Sequence, residues 1–155
     1  MTDSEARIAL AHVPQPPTIL VVENDSVLRA RIKSILETAG YTCEEAREGK
    51  EALSVIQRNS TAYLVLSDLR MPNMDGLQLL HTLQKNPDTK GIPFILITGN
   101  SSFSLRKQAL RDGALAIIYK PYTPQELLHI LNRSISLLPK SSVLSVNSVF
   151  EEILS

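Results

Sequence analysis

Asp68 closes the apolar run Tyr63-Leu64-Val65-Leu66 and precedes Arg70-Met71-Pro72-Asn73-Met74-Asp75-Gly76, so a carboxylate stands where a buried strand gives way to a proline-bearing turn. Three further runs end in the same manner. Glu23-Asn24-Asp25 closes Thr18-Ile19-Leu20-Val21-Val22, Thr98 closes Phe94-Ile95-Leu96-Ile97, and Lys120 closes Ala116-Ile117-Ile118-Tyr119. Acid, acid, hydroxyl and ammonium are thus released at the ends of separate strand-like segments.

If the first and third strands are neighbours, about 4.8 Å apart, Glu23, Asn24 and Asp68 come within a few ångströms of one another. Carboxylates so close repel, and a hard divalent cation with oxygen ligands relieves them. Mg²⁺ typically takes one or two carboxylates together with water and phosphate oxygens. An acidic pocket holding such a cation attracts phosphate, and an aspartate there is a competent nucleophile through an aspartyl phosphate. Phosphoryl transfer asks little more of a protein than alignment and compensation of charge on the equatorial oxygens. Lys120 can supply a positive charge and Thr98 a hydrogen bond. Ordinary roles compete at each position: Glu23 and Asn24 can cap a helix together with Asp25 and Ser26, Thr98 can be a strand residue, and Lys120 a solvated end charge.

The elements that must position these residues alternate. Leu28, Ile32, Ile35, Leu36 and Ala39 share one helical face, and Leu127, Leu128, Leu131, Ile135 and Leu138 share another. Shorter helices are expected near Lys50 to Arg58, Leu77 to Lys85 and Phe103 to Arg111. Thr123-Pro124-Gln125-Glu126 offers an N-cap, a proline at the first helical position and a capping-box glutamate. Asp75 reads as a cap or turn former, and Gly40 and Gly113 are placed to end helices in a left-handed conformation. With Tyr41 to Ala46 as a second strand, five strands alternate with five helices, which predicts an α/β protein with a parallel sheet covered on both faces. Ligands of such sheets bind beyond the carboxyl ends of the strands, where all four polar termini lie.

A chain of 155 residues with 43% hydrophobic content suits one domain. Sixteen basic and sixteen acidic residues cancel, which argues against direct nucleic-acid or anionic-membrane binding. No run approaches the roughly twenty apolar residues of a membrane span, and the N-terminus lacks a secretory pattern, so a cytoplasmic location is expected. Cys43 has no partner cysteine and reads as a small buried hydrophobe. His12, His81 and His129 show no ligand spacing. Residues 1–17, ending in His12-Val13-Pro14-Gln15-Pro16-Pro17, read as a proline-rich flexible leader; residues 18–138 form the domain, and residues 139–155 a tail. In that tail Val146, Val149, Phe150, Ile153 and Leu154 fall on one helical face after a Ser148 to Glu151 capping box, a segment suited to packing on its own domain or to a partner or a second copy as a homodimer.

From Thr18 to Leu138 the chain resembles the receiver domain of two-component response regulators. The pieces that carry the likeness are Val21-Val22-Glu23-Asn24-Asp25, Ser67-Asp68-Leu69-Arg70-Met71-Pro72-Asn73-Met74-Asp75-Gly76, Ile97-Thr98-Gly99 and Tyr119-Lys120-Pro121-Tyr122, in family order. The resemblance implies a doubly wound, flavodoxin-like α/β fold with strand order 2-1-3-4-5. It implies that Asp68 is the phosphoacceptor for a histidine kinase or phosphotransfer protein, and that Glu23, Asn24, Asp68 and the backbone carbonyl of Arg70 hold Mg²⁺. Thr98 and Lys120 match the switch hydroxyl and the lysine that contacts the phosphoryl group, the Lys120-Pro121 peptide is expected to be cis, and a downstream protein is the expected target. The chain would then be a signalling module rather than a turnover enzyme.

Two positions depart from the family. A carboxylate is usual at position 24, so Asn24 removes a charge while keeping an amide oxygen, and weaker Mg²⁺ binding is expected unless Asp25 or the longer Glu23 compensates. Ile117 stands where many receivers carry an aromatic switch residue, which leaves room for a second function, a degenerate receiver kept as a constitutive docking surface. Arg70 and Asn100, two residues beyond Asp68 and Thr98, are placed to influence phosphoryl lifetime. A metal-dependent phosphatase with an aspartate nucleophile would want a second aspartate where Arg70 stands. Glu23-Asn24-Asp25-Ser26 is the opposite of a glycine-rich nucleotide-binding turn.

Overall fold

The computed structural model of the chain describes Thr2 and residues 16–139. Strands β1 (Thr18–Val22), β2 (Cys43–Ala46), β3 (Tyr63–Asp68), β4 (Phe94–Thr98) and β5 (Ala116–Tyr119) alternate with helices α1 (Ser26–Thr38), α2 (Gly49–Arg58), α3 (Gly76–Lys85), α4 (Phe103–Arg111) and α5 (Pro124–Ser136). The strands pair in parallel in the order β2-β1-β3-β4-β5. This is the doubly wound α/β sheet expected from the sequence, and its order reverses between β1 and β3.

Period-two alternation divides each strand between two apolar layers. Ile19 and Val21 of β1, Leu64 and Leu66 of β3, Ile95 and Ile97 of β4 and Ile118 of β5 pack with Ile32 and Leu36 of α1 and Leu127 and Leu131 of α5. Leu20, Val22, Val65, Phe94 and Leu96 pack on the other face with α2, α3 and α4 through Val55, Leu79, Leu80, Leu83 and Ala109. A sheet buried on both sides requires continuous apolar strands, and β3 has no exposed residue along its length. The face parity of each strand continues into the residue that follows it and decides which side of the sheet each polar terminus joins.

Each helix starts on a side chain that satisfies its first amides. Asp25 accepts from Val27 and Leu28, Glu48 from Lys50 and Glu51, and Ser102 from Leu105. Asp75 is the cap expected of it, and it forms a reciprocal capping box with Gln78. Thr123 accepts from the Glu126 amide and Pro124 opens α5, also as expected. Gly40 and Gly113 take φ of 98° and 106°, the left-handed helix ends expected of them.

Three local expectations need adjustment. Strand β2 begins at Cys43 rather than Tyr41, because the Tyr41 amide still closes α1 by donating to the Leu36 carbonyl. Cys43 is half-buried rather than buried, as it lies on an edge strand, and burial still pushes its thiol up to about 11. Leu28, expected on the same helical face as Ile32 and Leu36, is exposed and borders an open hollow beside Ile32. Most of the expected leader, and the tail beyond Pro139 with its expected helix, lie outside the described residues.

Candidate functional site

Glu23, Asp68 and Lys120 share the parity of the α1/α5 face, so three strand ends bring them to one corner of the sheet. The Lys120 Nζ lies 2.8 Å from Asp68 Oδ1. Glu23 is only 4% exposed and Asp68 9%, which makes their proximity costly. Burial, then the charge of Asp68, pushes the Glu23 carboxyl up to about 7, against the opposing pull of Lys120. Burial also works against the Lys120 ammonium, but Asp68 and Glu23 outweigh it and its pKa lies above the ordinary lysine value. Two acids and one ammonium leave this corner with net negative charge.

The backbone around Asp68 is held from several directions. Its carbonyl accepts from the Ser67 hydroxyl at 2.9 Å, and the next amide, Leu69, donates to the Ile97 carbonyl at 2.9 Å. Gly76 at the start of α3 lies so close that a Cβ there would come within 2.5 Å of the Asp68 carbonyl oxygen. Between them the β3–α3 turn passes through Asn73, whose φ of 65° is one that asparagine tolerates. On the far side the cis Lys120-Pro121 peptide, expected from the sequence, follows the lysine.

Two hollows open on Asp68 and Lys120. One runs under α1 and includes Glu23, Leu28, Arg31 and Tyr122. The other includes Arg70, Thr98 and Asn100. Thr98 belongs to the second because its strand parity is that of Leu96, on the opposite face from Asp68. Its hydroxyl oxygen accepts from the Asn100 amide at 2.9 Å and keeps its own proton to donate. The Asn100 side chain in turn accepts from the Ser102 amide at 2.9 Å. Ile117, on the same face as Thr98, is half-buried against that layer's core.

The residues singled out in the sequence therefore converge, with differences in standing. Glu23, Asp68, Thr98 and Lys120 are at the site itself, while Asn24 is exposed on the turn after Glu23. The helix-capping role open to Glu23 and Asn24 in the sequence falls to Asp25. His81 and His129 are exposed on α3 and α5, away from the site. Arg29 was not foreseen: its Nη1 donates to the Glu23 carbonyl at 2.7 Å. A basic residue on the first turns of a helix that follows an acidic turn is the only sequence signal for it.

Among the described residues no group of three or more His, Cys, Asp or Glu side chains could hold a metal. Two buried carboxylates, Glu23 and Asp68, lie at this corner, Arg70 borders the second hollow, and Asn24 is exposed on the adjoining turn. Two neighbouring carboxylates suit a hard cation that retains water, and burial first, then the charge of Asp68, disfavours the ionised Glu23 in its absence.

Residues 19–132 match the family model of the response regulator receiver domain. The chain belongs to this family. The receiver is 35% identical over 119 residues to the C4-dicarboxylate transport transcriptional regulatory protein DctD of Rhizobium meliloti, a match covering 76% of this chain and 25% of DctD. It is 30% identical over 124 residues to the two-component response regulator ORR3 of Oryza sativa, covering 79% of this chain and 95% of that protein. The receiver domain of a sensor histidine kinase from Pseudomonas aeruginosa PAO1, with a magnesium ion coordinated in its active-site cleft, superimposes with a TM-score of 0.69 at 27% identity, covering 79% of this receiver and 99% of that chain. The chain thus spans a quarter of one relative and nearly all of another. No described helix is long and apolar enough to cross a membrane.

Proposed function

We propose that this receiver accepts a phosphoryl group on Asp68 from a histidine kinase or phosphotransfer protein and thereby switches its contacts with a downstream protein in the cytoplasm. The observation that carries this reading is the buried Asp68 paired with Lys120 at 2.8 Å beside a second buried acid. An Asp68 carboxylate oxygen attacks phosphorus, the bond from phosphorus to the donor's histidine nitrogen breaks, and the imidazole leaves with that electron pair. Glu23, Asn24, Asp68 and the Arg70 carbonyl would hold Mg²⁺, which supplies positive charge toward the phosphoryl oxygens when bound. Lys120 provides a second positive charge without moving far from its present position. Thr98 retains a hydroxyl proton that can turn to a phosphoryl oxygen, and the output route passes to the face it shares with Ile117.

Incubation with acetyl phosphate and Mg²⁺, followed by intact-mass measurement, tests the proposal. Wild type is expected to gain one phosphoryl group and Asp68→Ala none. Uptake that persists in Asp68→Ala would move the acceptor elsewhere.

Asn24 and the aliphatic Ile117 favour a second reading, a receiver used as a constitutive docking module. Failure of the wild type to take up phosphoryl from acetyl phosphate and from phosphorylated donor proteins alike would support it over the first.

A further inference from the structure

We infer that Arg29 is a positioning residue of the cation site, a role that rests on Glu23 and Asn24 being cation ligands. Helix α1 carries Arg29 back over the turn that precedes it, where Nη1 donates to the Glu23 carbonyl at 2.7 Å and Nε to Glu45 Oε1 at 3.3 Å. The other end of the same peptide is also held, because the Asn24 amide donates to Glu23 Oε2 at 3.1 Å. The Glu23-Asn24 peptide is therefore fixed at its oxygen and at its nitrogen. That fixes the direction in which the chain leaves Glu23, and with it the spacing of the two adjacent donors.

The anchor is tertiary. Glu45 lies on β2 opposite Val21 of β1, and the Glu23 amide itself donates to the Ala46 carbonyl at 3.1 Å. Arg29 thus ties the turn to the neighbouring strand through one planar group, with its side chain only 14% exposed. A rigid fork that reaches two acceptors in fixed directions is a property of guanidinium rather than ammonium. Glu45 also receives Lys33 at 3.4 Å, but Lys33 makes no described bond to the turn.

Charge and position predict opposite signs. A guanidinium near a cation site repels the ion, so if Arg29 acted through charge alone its removal would tighten cation binding. If it acts by holding the turn, its removal weakens binding despite the lost repulsion. Titration of the full chain with Mn²⁺, followed by the electron paramagnetic resonance signal of the free ion, reads that sign directly.

Arg29→Ala is expected to bind Mn²⁺ about fivefold more weakly than wild type, the size of one ordinary net hydrogen bond. Arg29→Lys should recover part of the affinity, and Lys33→Ala, which removes a nearby charge but no bond to the turn, should bind at least as tightly as wild type. Faster amide exchange at Asn24 in Arg29→Ala, with protection in β3 unchanged, would mark a local rather than a global effect. Equal or tighter binding by Arg29→Ala overturns the inference while leaving the cation site standing. Absence of Mn²⁺ binding by wild type overturns both. Should Arg29→Ala fail to fold, Glu45→Gln takes its place: about twofold weaker binding is expected, and unchanged binding defeats the proposal.

Discussion

The two rims of one sheet are built from the same strands yet satisfy their polar groups in opposite ways. At the amino end of β3 the Tyr63 hydroxyl donates to Glu44, Asn59 returns a side-chain hydrogen bond to the Val55 carbonyl at 2.8 Å, and Thr89 donates to the Leu83 carbonyl at 2.7 Å. These three groups find their partners on β2, α2 and α3. At the carboxyl end two buried acids lie together with one ammonium paired to Asp68, and Glu23 is driven far from its ordinary pKa. The first rim closes the fold, whereas the second stores unfavourable electrostatics that a cation or a phosphoryl group can change. The proposed function is placed at the rim where the sheet is electrostatically least at rest.

Glu23→Gln breaks this contrast most strongly. The folded carboxyl titrates at about 7 against an ordinary 4.5, so between those values the folded state binds more protons than the unfolded state. Stability then declines as pH rises through the window from 4.5 to 7 and stays at its lower value above it. The neutral amide escapes that decline. Chemical denaturation without divalent cation should find Glu23→Gln more stable than wild type by up to about 3 kcal/mol at alkaline pH, with the advantage shrinking toward zero in acid. A difference that does not vary with pH would mean the strain lies elsewhere.

A smaller effect is expected from a pair of glycines. At the active rim a Cβ on Gly76 would come within 2.5 Å of the Asp68 carbonyl oxygen and 2.9 Å of Leu96 Cδ1, whereas at the opposite rim a Cβ on Gly91 meets nothing within 4 Å. Gly76→Ala is expected to cost about 2 kcal/mol through overpacking against backbone, and Gly91→Ala to lie within about 0.5 kcal/mol of wild type. Thermal unfolding of the two variants measures the difference. Equal losses would show that close approach of α3 to Asp68 carries no special constraint.

How much of this was legible in the sequence depended on whether a feature was local. Runs such as Phe94-Ile95-Leu96-Ile97, and caps such as Asp75 and Thr123, announce themselves within a few residues, and the structure places strands and helices there. Strand order is different: nothing in the five runs says that β1 lies between β2 and β3, and it came from resemblance to a family. Convergence of Glu23, Asp68, Thr98 and Lys120 followed from their being carboxyl ends of parallel strands. Their division between two faces follows from counting by twos back to Leu66, Val21, Leu96 and Ile118. Arg29 escaped because its role depends on Glu45, a residue brought alongside only by the β1–β2 pairing. The bond from the Tyr41 amide back to the Leu36 carbonyl, which delays β2 to Cys43, is by contrast local, and Gly40 in its left-handed conformation is the sequence signal for it.

Asn24→Asp sharpens the contrast between the rims with the smallest shift. It adds a third carboxylate beside Glu23 and Asp68, at an exposed position where water screens much of the added repulsion. Without a divalent cation the variant should therefore lose little stability. With one, the added charge acts directly on the ion while the amide oxygen it replaces offered only a dipole, so Mg²⁺ affinity is expected to rise by about threefold to tenfold in calorimetric titration. High salt should narrow that gain, since a charge at the surface is felt through solvent. Equal affinities of wild type and variant would mean that Asn24 stands outside the ligand set and that Glu23 and Asp68, with backbone and water, hold the cation without it.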